Sequence, residues 1–167
     1  MTFKKILIAN RGEIAIRIAR AASDLNIETV SMYSNDDSSS LHVTATDETL
    51  ELKGNGVVAY LDIDDVIRIA KECRADSIHP GYGFLSENAQ FAKAVTDSGI
   101  KFIGPKPHAI EIMGSKLAAK DAVKAYDIPM VPGIDEAITD TEKAKKIAKE
   151  IGFPIESRNA CRASTVS

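Results

Sequence analysis

Several stretches of this sequence combine residue types that could do chemistry. Asn10-Arg11-Gly12-Glu13 follows an apolar run and opens a helical pattern, where a nucleotide-binding fold places its phosphate loop. It has one glycine where the dinucleotide fingerprint needs three, and Glu13 would repel a phosphate at the helix N-terminus. The stretch therefore reads as a tight strand-to-helix turn, and nicotinamide and flavin chemistry are disfavoured. His79-Pro80-Gly81-Tyr82-Gly83-Phe84-Leu85-Ser86-Glu87-Asn88 sets two glycines about one tyrosine, so main chain can approach a ligand closely. It leaves a predicted strand at the carboxyl end, and Glu87 falls at a helix start, where the dipole favours it. The competing reading is a capped turn that sends Phe84 and Leu85 into the core, and spacing alone leaves both open. Gly114-Ser115-Lys116 looks like the close of a P-loop, but the position five before Gly114 is Ala109, which argues against one. A lysine at a helix start opposes the dipole, a hint that the charge of Lys116 serves another purpose. Arg17, Arg20 and Asp24 stand three and four apart on the first helix, opposite its apolar stripe. They form either a solvated face or a subunit interface, where arginine is enriched. His42, His79 and His108 lack partners at ligand spacing, so no metal site is expected.

An alternation of apolar strands and amphipathic helices must position these residues. Residues 5–10 form a continuous apolar run, as in a strand buried on both faces. Ile14, Ile18, Ala22 and Leu25 then share one face of a helix that stops at Asn26, and 28–33 is the next strand. After the polar loop 34–40, Ser40 is expected to cap a short helix through Ala45, and 48–52 is a third strand. Gly54-Asn55-Gly56 is a turn, and Asp62 caps a helix with Ile63, Val66, Ile67, Ala70 and Cys73 on one face. Residues 77–79 are strand-like, Ser86 is expected to cap a helix carrying Phe91, Ala92 and Val95, and Gly99 ends it. Residues 100–103 close the set. About five strands with helices between them imply an α/β fold, a Rossmann-like open, mostly parallel sheet flanked by helices.

Beyond Pro107 the texture changes. Helical segments around 110–113 and over 116–126 precede a proline-spaced linker at 128–133. A lysine-rich helix over 141–151 follows, and its narrow apolar face of Ala144, Ile147, Ala148 and Ile151 needs something to pack against. The expected division is 1–115 as a first domain, 116–155 as a helical linker and the start of a second region, and 156–167 as a disordered polar tail.

Composition narrows the function classes. The chain has 167 residues, 44% hydrophobic and 27% charged, the mix of a globular protein large enough to hold a core without staples. A net charge of −3 argues against general nucleic-acid binding. No apolar run approaches the roughly 18–20 residues of a membrane span. The short apolar run 6–9 is too brief for a signal peptide, so a cytoplasmic protein is expected. Cys73 and Cys161 make neither a disulfide framework nor a metal knuckle.

The run Ile6-Leu7-Ile8-Ala9-Asn10-Arg11-Gly12-Glu13-Ile14-Ala15, continued to Arg20, resembles the N-terminal part of biotin carboxylase. So do residues 79–88, Phe102-Ile103-Gly104-Pro105 and Met113-Gly114-Ser115-Lys116, in the family's order and spacing. The likeness reaches Ile155, and the related carbamoyl-phosphate synthetases lack the Asn-Arg-Gly-Glu-Ile-Ala run. Biotin carboxylase occurs in acyl-CoA and pyruvate carboxylases, and the resemblance implies a pre-ATP-grasp domain ahead of an ATP-grasp lid and core. It implies ATP-dependent carboxylation of biotin: bicarbonate attacks the γ-phosphate, and the carboxyl group of carboxyphosphate passes to the ureido nitrogen. Magnesium and cationic side chains neutralise the phosphate charge in such transfers. By motif, Lys116 is the expected ATP contact. Tyr82, Gly83 and Glu87 are the expected wall of the biotin pocket, and Arg20 and Asp24 belong to a helix in homodimer contacts. The implied partners are a biotin carboxyl carrier protein and a carboxyltransferase. After Ile155 the family continues with a second ATP lysine and a glycine-rich loop, whereas 156–167 here has neither. This chain is therefore expected to hold no catalytic residue, to bind ATP, magnesium and biotin weakly at best, and not to carboxylate biotin alone. A dimerisation module that associates with a full-length carboxylase is the alternative.

Overall fold

A computed structural model describes residues 3–115, 118, 119, 122, 123, 126, 128 and 140–152. The chain divides into two compact units, Met1–Lys116 and Leu117–Ser167. The first contains β1 (Lys5–Ile8), α1 (Gly12–Asp24), β2 (Glu28–Tyr33), β3 (Glu48–Glu51), α2 (Gly56–Ala59), α3 (Ile63–Glu72), β4 (Ser77–His79), α4 (Ala89–Asp97), β5 (Lys101–Phe102) and α5 (Pro107–Gly114). The strands form one sheet in the order β3-β2-β1-β4-β5, every pair parallel. Leu7 of the central β1 pairs with Val30 on one side and Ile78 on the other.

Side chains alternate across a strand, which explains the unbroken apolar run of β1. Leu7 joins Val30, Met32 and Ile78 in a core closed by Val66, Ile69 and Ala70 of α3 and by Phe91 and Val95 of α4. Ile6 and Ile8 point the other way and pack with Ala15, Ile18, Ala19 and Ala22 of α1. A sheet covered by helices on both faces results, and each fully buried Leu, Ile or Phe in it stabilises the fold by about 1.5–3 kcal/mol. Phe91 and Phe102 meet edge to face, with centroids 5.9 Å apart.

Three local expectations are corrected. Leu25 does not share the buried face of α1 but is 70% exposed. It is the residue after the helix ends, and the chain reverses at Asn26 with φ 56, so helical periodicity no longer sets its direction. Ser86 does not cap α4: the Asn88 side chain accepts from the Phe91 amide at 2.9 Å, and the Ser86 amide closes a turn on the Gly83 carbonyl. Ser40 does not cap the next turn, since its hydroxyl donates to Asp37 at 3.1 Å and a 3-10 turn (Val43–Ala45) begins after His42. Asp62 does cap α3, accepting from the Asp65 amide at 3.1 Å.

In the second unit the helix Thr141–Ile151 starts at Asp140, whose side chain accepts from the Glu142 amide at 2.9 Å. Ala144, Ile147 and Ala148 are half-buried and Ile151 is exposed. Most of the expected helix over 116–126, the linker from 129 and the tail 156–167 lie outside the described residues. Among the described residues no helix is long and apolar enough to cross a membrane.

Candidate functional site

The chain moves outward from β1 to β2 and β3, then returns to the other side of β1 with β4 and β5. The strand order therefore reverses between β1 and β4, and the crevice beyond their carboxyl ends is where such sheets place ligands. Both loops singled out in the sequence open there, residues 9–11 after β1 and 80–88 after β4.

Asn10 joins the two. Its side chain is buried at 2% exposure, and Nδ2 donates to the Pro80 carbonyl at 2.8 Å and the Tyr82 carbonyl at 2.9 Å. Its Oδ1 accepts from the Arg11 amide at 2.9 Å. The carboxamide thus uses both N–H groups and its oxygen. Gly81 lies against it: a Cβ there would stand 2.6 Å from Asn10 Nδ2, and φ is +67°. No side chain fits that approach. The Gly81 amide donates to His79 Nδ1 at 3.0 Å, so that nitrogen is the unprotonated one. Burial holds the His79 imidazole below its ordinary value, which agrees with the neutral form.

Tyr82 is 61% exposed, and its phenol donates to the Glu13 carboxylate in the first turn of α1. That hydrogen bond and the charge of Glu13 raise the phenol above its ordinary value. Gly83 is exposed in the left-handed region, with no atom within 4 Å of where a Cβ would sit. Phe84 turns back, its ring 5.4 Å from that of Tyr60, and Leu85 is buried. The two readings of the 79–88 run therefore coexist: Phe84 and Leu85 anchor the turn, while Tyr82 and Gly83 face outward. Glu87 is exposed immediately before the Asn88 cap.

A network beside the crevice was not foreseen. Arg11 Nη1 pairs with Asp37 Oδ2 at 2.7 Å, and the guanidinium lies 5.6 Å from the centroid of the Tyr60 ring. The Tyr60 hydroxyl donates to the same carboxylate at 2.9 Å and accepts from the Ser34 amide at 3.3 Å. Burial pushes the Asp37 carboxyl up, but hydrogen bonds from Arg11, Tyr60 and Ser40 outweigh it and hold the group below its ordinary value. Burial, with Asp37 nearby, pushes Tyr60 up to about 12. His42 is buried close by, Nε2 at 3.3 Å from the Met32 carbonyl, and burial lowers its imidazole. The one signal for this network in the sequence is a pair of aspartates just after β2, beside an arginine just after β1.

Arg20 and Asp24 are exposed on α1 and, with Ala19, Ser23, Thr29, Ala45 and Asp47, line a shallow groove of about 220 Å³. Asp24 is eleven residues from Glu13, about 16 Å along the helix axis, so this surface is separate from the crevice. Thr29 donates to Asp47 from its hydroxyl at 2.7 Å and its amide at 2.8 Å, holding that carboxyl below its ordinary value. Gly114 ends α5, and the Ser115 amide closes on the Ile112 carbonyl, whereas a P-loop glycine precedes a helix. Lys116 lies outside the described residues.

Comparison with known proteins adds to this geometry. Residues 2–110 match the family model for the biotin carboxylase N-terminal domain, and residues 115–163 match that for the ATP-binding domain of the carbamoyl-phosphate synthase L chain. The chain is 52% identical over 155 residues to a biotin carboxylase of Halalkalibacterium halodurans, covering 92% of this chain and 34% of that protein. It is 50% identical over 155 residues to pyruvate carboxylase of Staphylococcus aureus, covering 91% of this chain and 13% of that protein. Among solved structures, the biotin carboxylase domain dimer of Hydrogenobacter thermophilus 2-oxoglutarate carboxylase, in complex with MgADP, ADP and bicarbonate, superposes with a TM-score of 0.84. That match has 46% identity over 92% of this chain and 34% of the other. The chain thus spans about a third of the length of the biotin carboxylase relative.

Proposed function

The chain belongs to the biotin carboxylase N-terminal domain family, and from that premise we propose that it forms the pre-ATP-grasp lobe of an enzyme that carboxylates biotin with ATP and bicarbonate. The observation that carries this reading is the ledge at the sheet's switch point, where Asn10 fixes the loop bearing Tyr82 and Gly83. The ledge offers an exposed aromatic ring beside bare main chain. That chemistry suits an uncharged ring with a planar, amide-like group, such as the ureido ring in the bicyclic head of biotin. It does not suit a phosphate or a magnesium ion. Of the turn's two charges, Glu13 is engaged by Tyr82 and Arg11 by Asp37.

Tyr82 and Gly83 form the pocket wall, and Glu87, exposed at the end of the same loop, borders it. ATP, held in part by Lys116 and with magnesium, supplies the phosphoryl group that activates bicarbonate. Residues 1–115 form the lobe, and 116–155 link it to an ATP-grasp region, in keeping with the match over 115–163. Arg20 and Asp24, opposite charges four apart on one exposed face, pair reciprocally across a two-fold axis in a homodimer. A carrier protein presents the biotin, and a carboxyltransferase receives the carboxyl group.

The test is bicarbonate- and biotin-dependent release of ADP by the complete polypeptide carrying this lobe. Tyr82→Ala is expected to raise KM for free biotin and leave KM for ATP near its starting value, and the 167-residue chain alone to release no ADP. Biotin-independent turnover, or a Tyr82→Ala effect confined to ATP, refutes the reading.

A further inference from the structure

We propose that Asn10 and Glu13 are positioning residues for Tyr82: the carboxamide pins the main chain on which Tyr82 stands, and the carboxylate pins its phenol. An aromatic side chain on an exposed loop ordinarily explores several rotamers. Tyr82 is held at both ends instead. Its carbonyl and that of Pro80 accept from Asn10 Nδ2, and Gly81 between them packs directly on the same carboxamide. At the other end the hydroxyl donates to Glu13. With both the backbone and the ring tip fixed, the two side-chain torsions have one arrangement that satisfies every contact.

Residue chemistry explains the choice of groups. The site beneath the loop needs two donors for two carbonyls and an acceptor for the Arg11 amide, and a carboxamide supplies all three. An aspartate would set a carboxylate against two carbonyl oxygens. Three residues on, Glu13 falls in the first turn of α1, where the dipole stabilises its charge and the phenol can reach it. The Asn-Arg-Gly-Glu turn thus serves the neighbouring loop, 69 to 72 residues away in sequence. The kinetic meaning of this placement rests on the proposed biotin wall, whereas the placement itself does not.

The experiment has two arms. In the first, tyrosines of the 167-residue chain are labelled at the ring carbon bearing the hydroxyl and titrated by NMR, with Tyr82 assigned through Tyr82→Phe. Tyr82 is expected above the ordinary value near 10, and Tyr60 serves as an internal reference at about 12. Glu13→Gln should bring Tyr82 back toward the ordinary value. Asn10→Ala, which does not touch the phenol, should do the same, with Tyr60 unmoved in both variants. Tyr82 unmoved in Asn10→Ala, or Tyr60 shifting with it, overturns the proposal. Asn10→Ser, which keeps a hydroxyl donor, replaces Asn10→Ala if that variant does not fold.

In the second arm, Asn10→Ala and Glu13→Gln in the complete carboxylase should each raise KM for free biotin roughly 3–10-fold, the factor for one lost positioning hydrogen bond, with KM for ATP unchanged. If Tyr82→Ala raises the biotin KM and these two variants do not, the proposal is overturned. If the titrations move as expected while Tyr82→Ala leaves the biotin KM alone, the positioning stands and the biotin-wall reading fails.

Discussion

Replacing Gly81 by alanine should destabilise the first unit more than the same change at Gly83, and the difference measures how tightly Asn10 clamps the β4 loop. Both glycines are left-handed, at φ +67 and +68. An alanine in that region costs about 1–2 kcal/mol at either position. Gly83 has nothing within 4 Å of its missing Cβ, so the conformational cost is the whole effect. At Gly81 the new methyl would lie 2.6 Å from Asn10 Nδ2, 3.1 Å from Cγ and 3.2 Å from Cβ. The carboxamide must move off the Pro80 and Tyr82 carbonyls, and leaving such a buried group unpaired costs about 1–3 kcal/mol more. The expected losses are thus about 2–5 kcal/mol for Gly81→Ala and about 1–2 for Gly83→Ala. Urea unfolding followed by far-UV circular dichroism gives both, since the chain has no tryptophan to report by fluorescence. The double variant Asn10→Ala with Gly81→Ala supplies the internal check, because removing the carboxamide also removes the 2.6 and 3.1 Å approaches and leaves only the 3.2 Å one to Cβ. Its loss should fall short of the sum of the single losses by about 0.5–3 kcal/mol, the range for residues in contact. Equal losses at the two glycines, together with additivity in the double variant, would show that Asn10 does not hold this loop.

Three further outcomes are expected. Asn88→Ala should cost about 1 kcal/mol, as loss of a helix cap does, while Ser86→Ala should change stability by less than about 0.5; the reverse order in urea unfolding would restore Ser86 as the cap. Tyr60→Phe keeps the ring but deletes the hydroxyl shared by Asp37 and the Ser34 amide, so a loss of about 1–3 kcal/mol is expected, and an unchanged midpoint would dismiss that network as ornament. Stability should also fall in two steps as pH drops. Burial holds the His42 and His79 imidazoles below their ordinary value, so the unfolded chain binds protons first; their contribution is whole above about pH 6.5 and declines as pH falls toward the folded values. Asp37 is depressed despite burial by Arg11, Tyr60 and Ser40, Asp47 by Thr29, and Asp65 despite burial by Arg68 and the Lys53 amide. Their contribution holds above about pH 4 and is lost below it. Unfolding midpoints flat between pH 7 and 5, or a first step that persists undiminished in His42→Gln, would contradict the assignment.

The sequence carried the strands and helices well because burial on two faces leaves a plain mark. The unbroken apolar run of β1 requires that its alternate residues enter two cores, and Leu7 against Ile6 and Ile8 do so. Cap choice was harder. Both Ser86 and Asn88 are good caps ahead of the same apolar pattern, and the decision belongs to the loop, where turns closed on Gly83 and Leu85 carry the chain past Ser86 before the helix begins. Leu25 fits the helical period, yet Asn26 turns the backbone and the period stops applying one residue early. Long-range polar pairs left the faintest trace. Asn10 with Tyr82 and Arg11 with Asp37 become neighbours only through the strand order, which places the ends of β4 and β2 on either side of β1.

That same strand order explains why a turn in the phosphate-loop position need not bind phosphate. An anion site at a helix N-terminus requires free amides and no competing negative charge. Here Glu13 already occupies the first turn of α1 and is bonded by Tyr82, while the nearby cation, Arg11, is committed to Asp37. Both charges of the motif are used within the fold, and the surface left at the switch point is an aromatic ring and bare backbone, bordered by the exposed Glu87. Under the proposed function, a ligand at this wall meets the Tyr82 ring, bare backbone and the carboxylates of Glu13 and Glu87, but no uncommitted cation of the turn, a setting that disfavours a triphosphate. Residues 115–163 match the family model for an ATP-binding domain, and the nucleotide contacts are proposed to lie there. Under the proposed function the division of labour follows from electrostatics: Glu13 is spent on Tyr82 and Arg11 on Asp37, so neither is left to hold a phosphate, and the phosphate-binding cations are proposed to lie outside this turn.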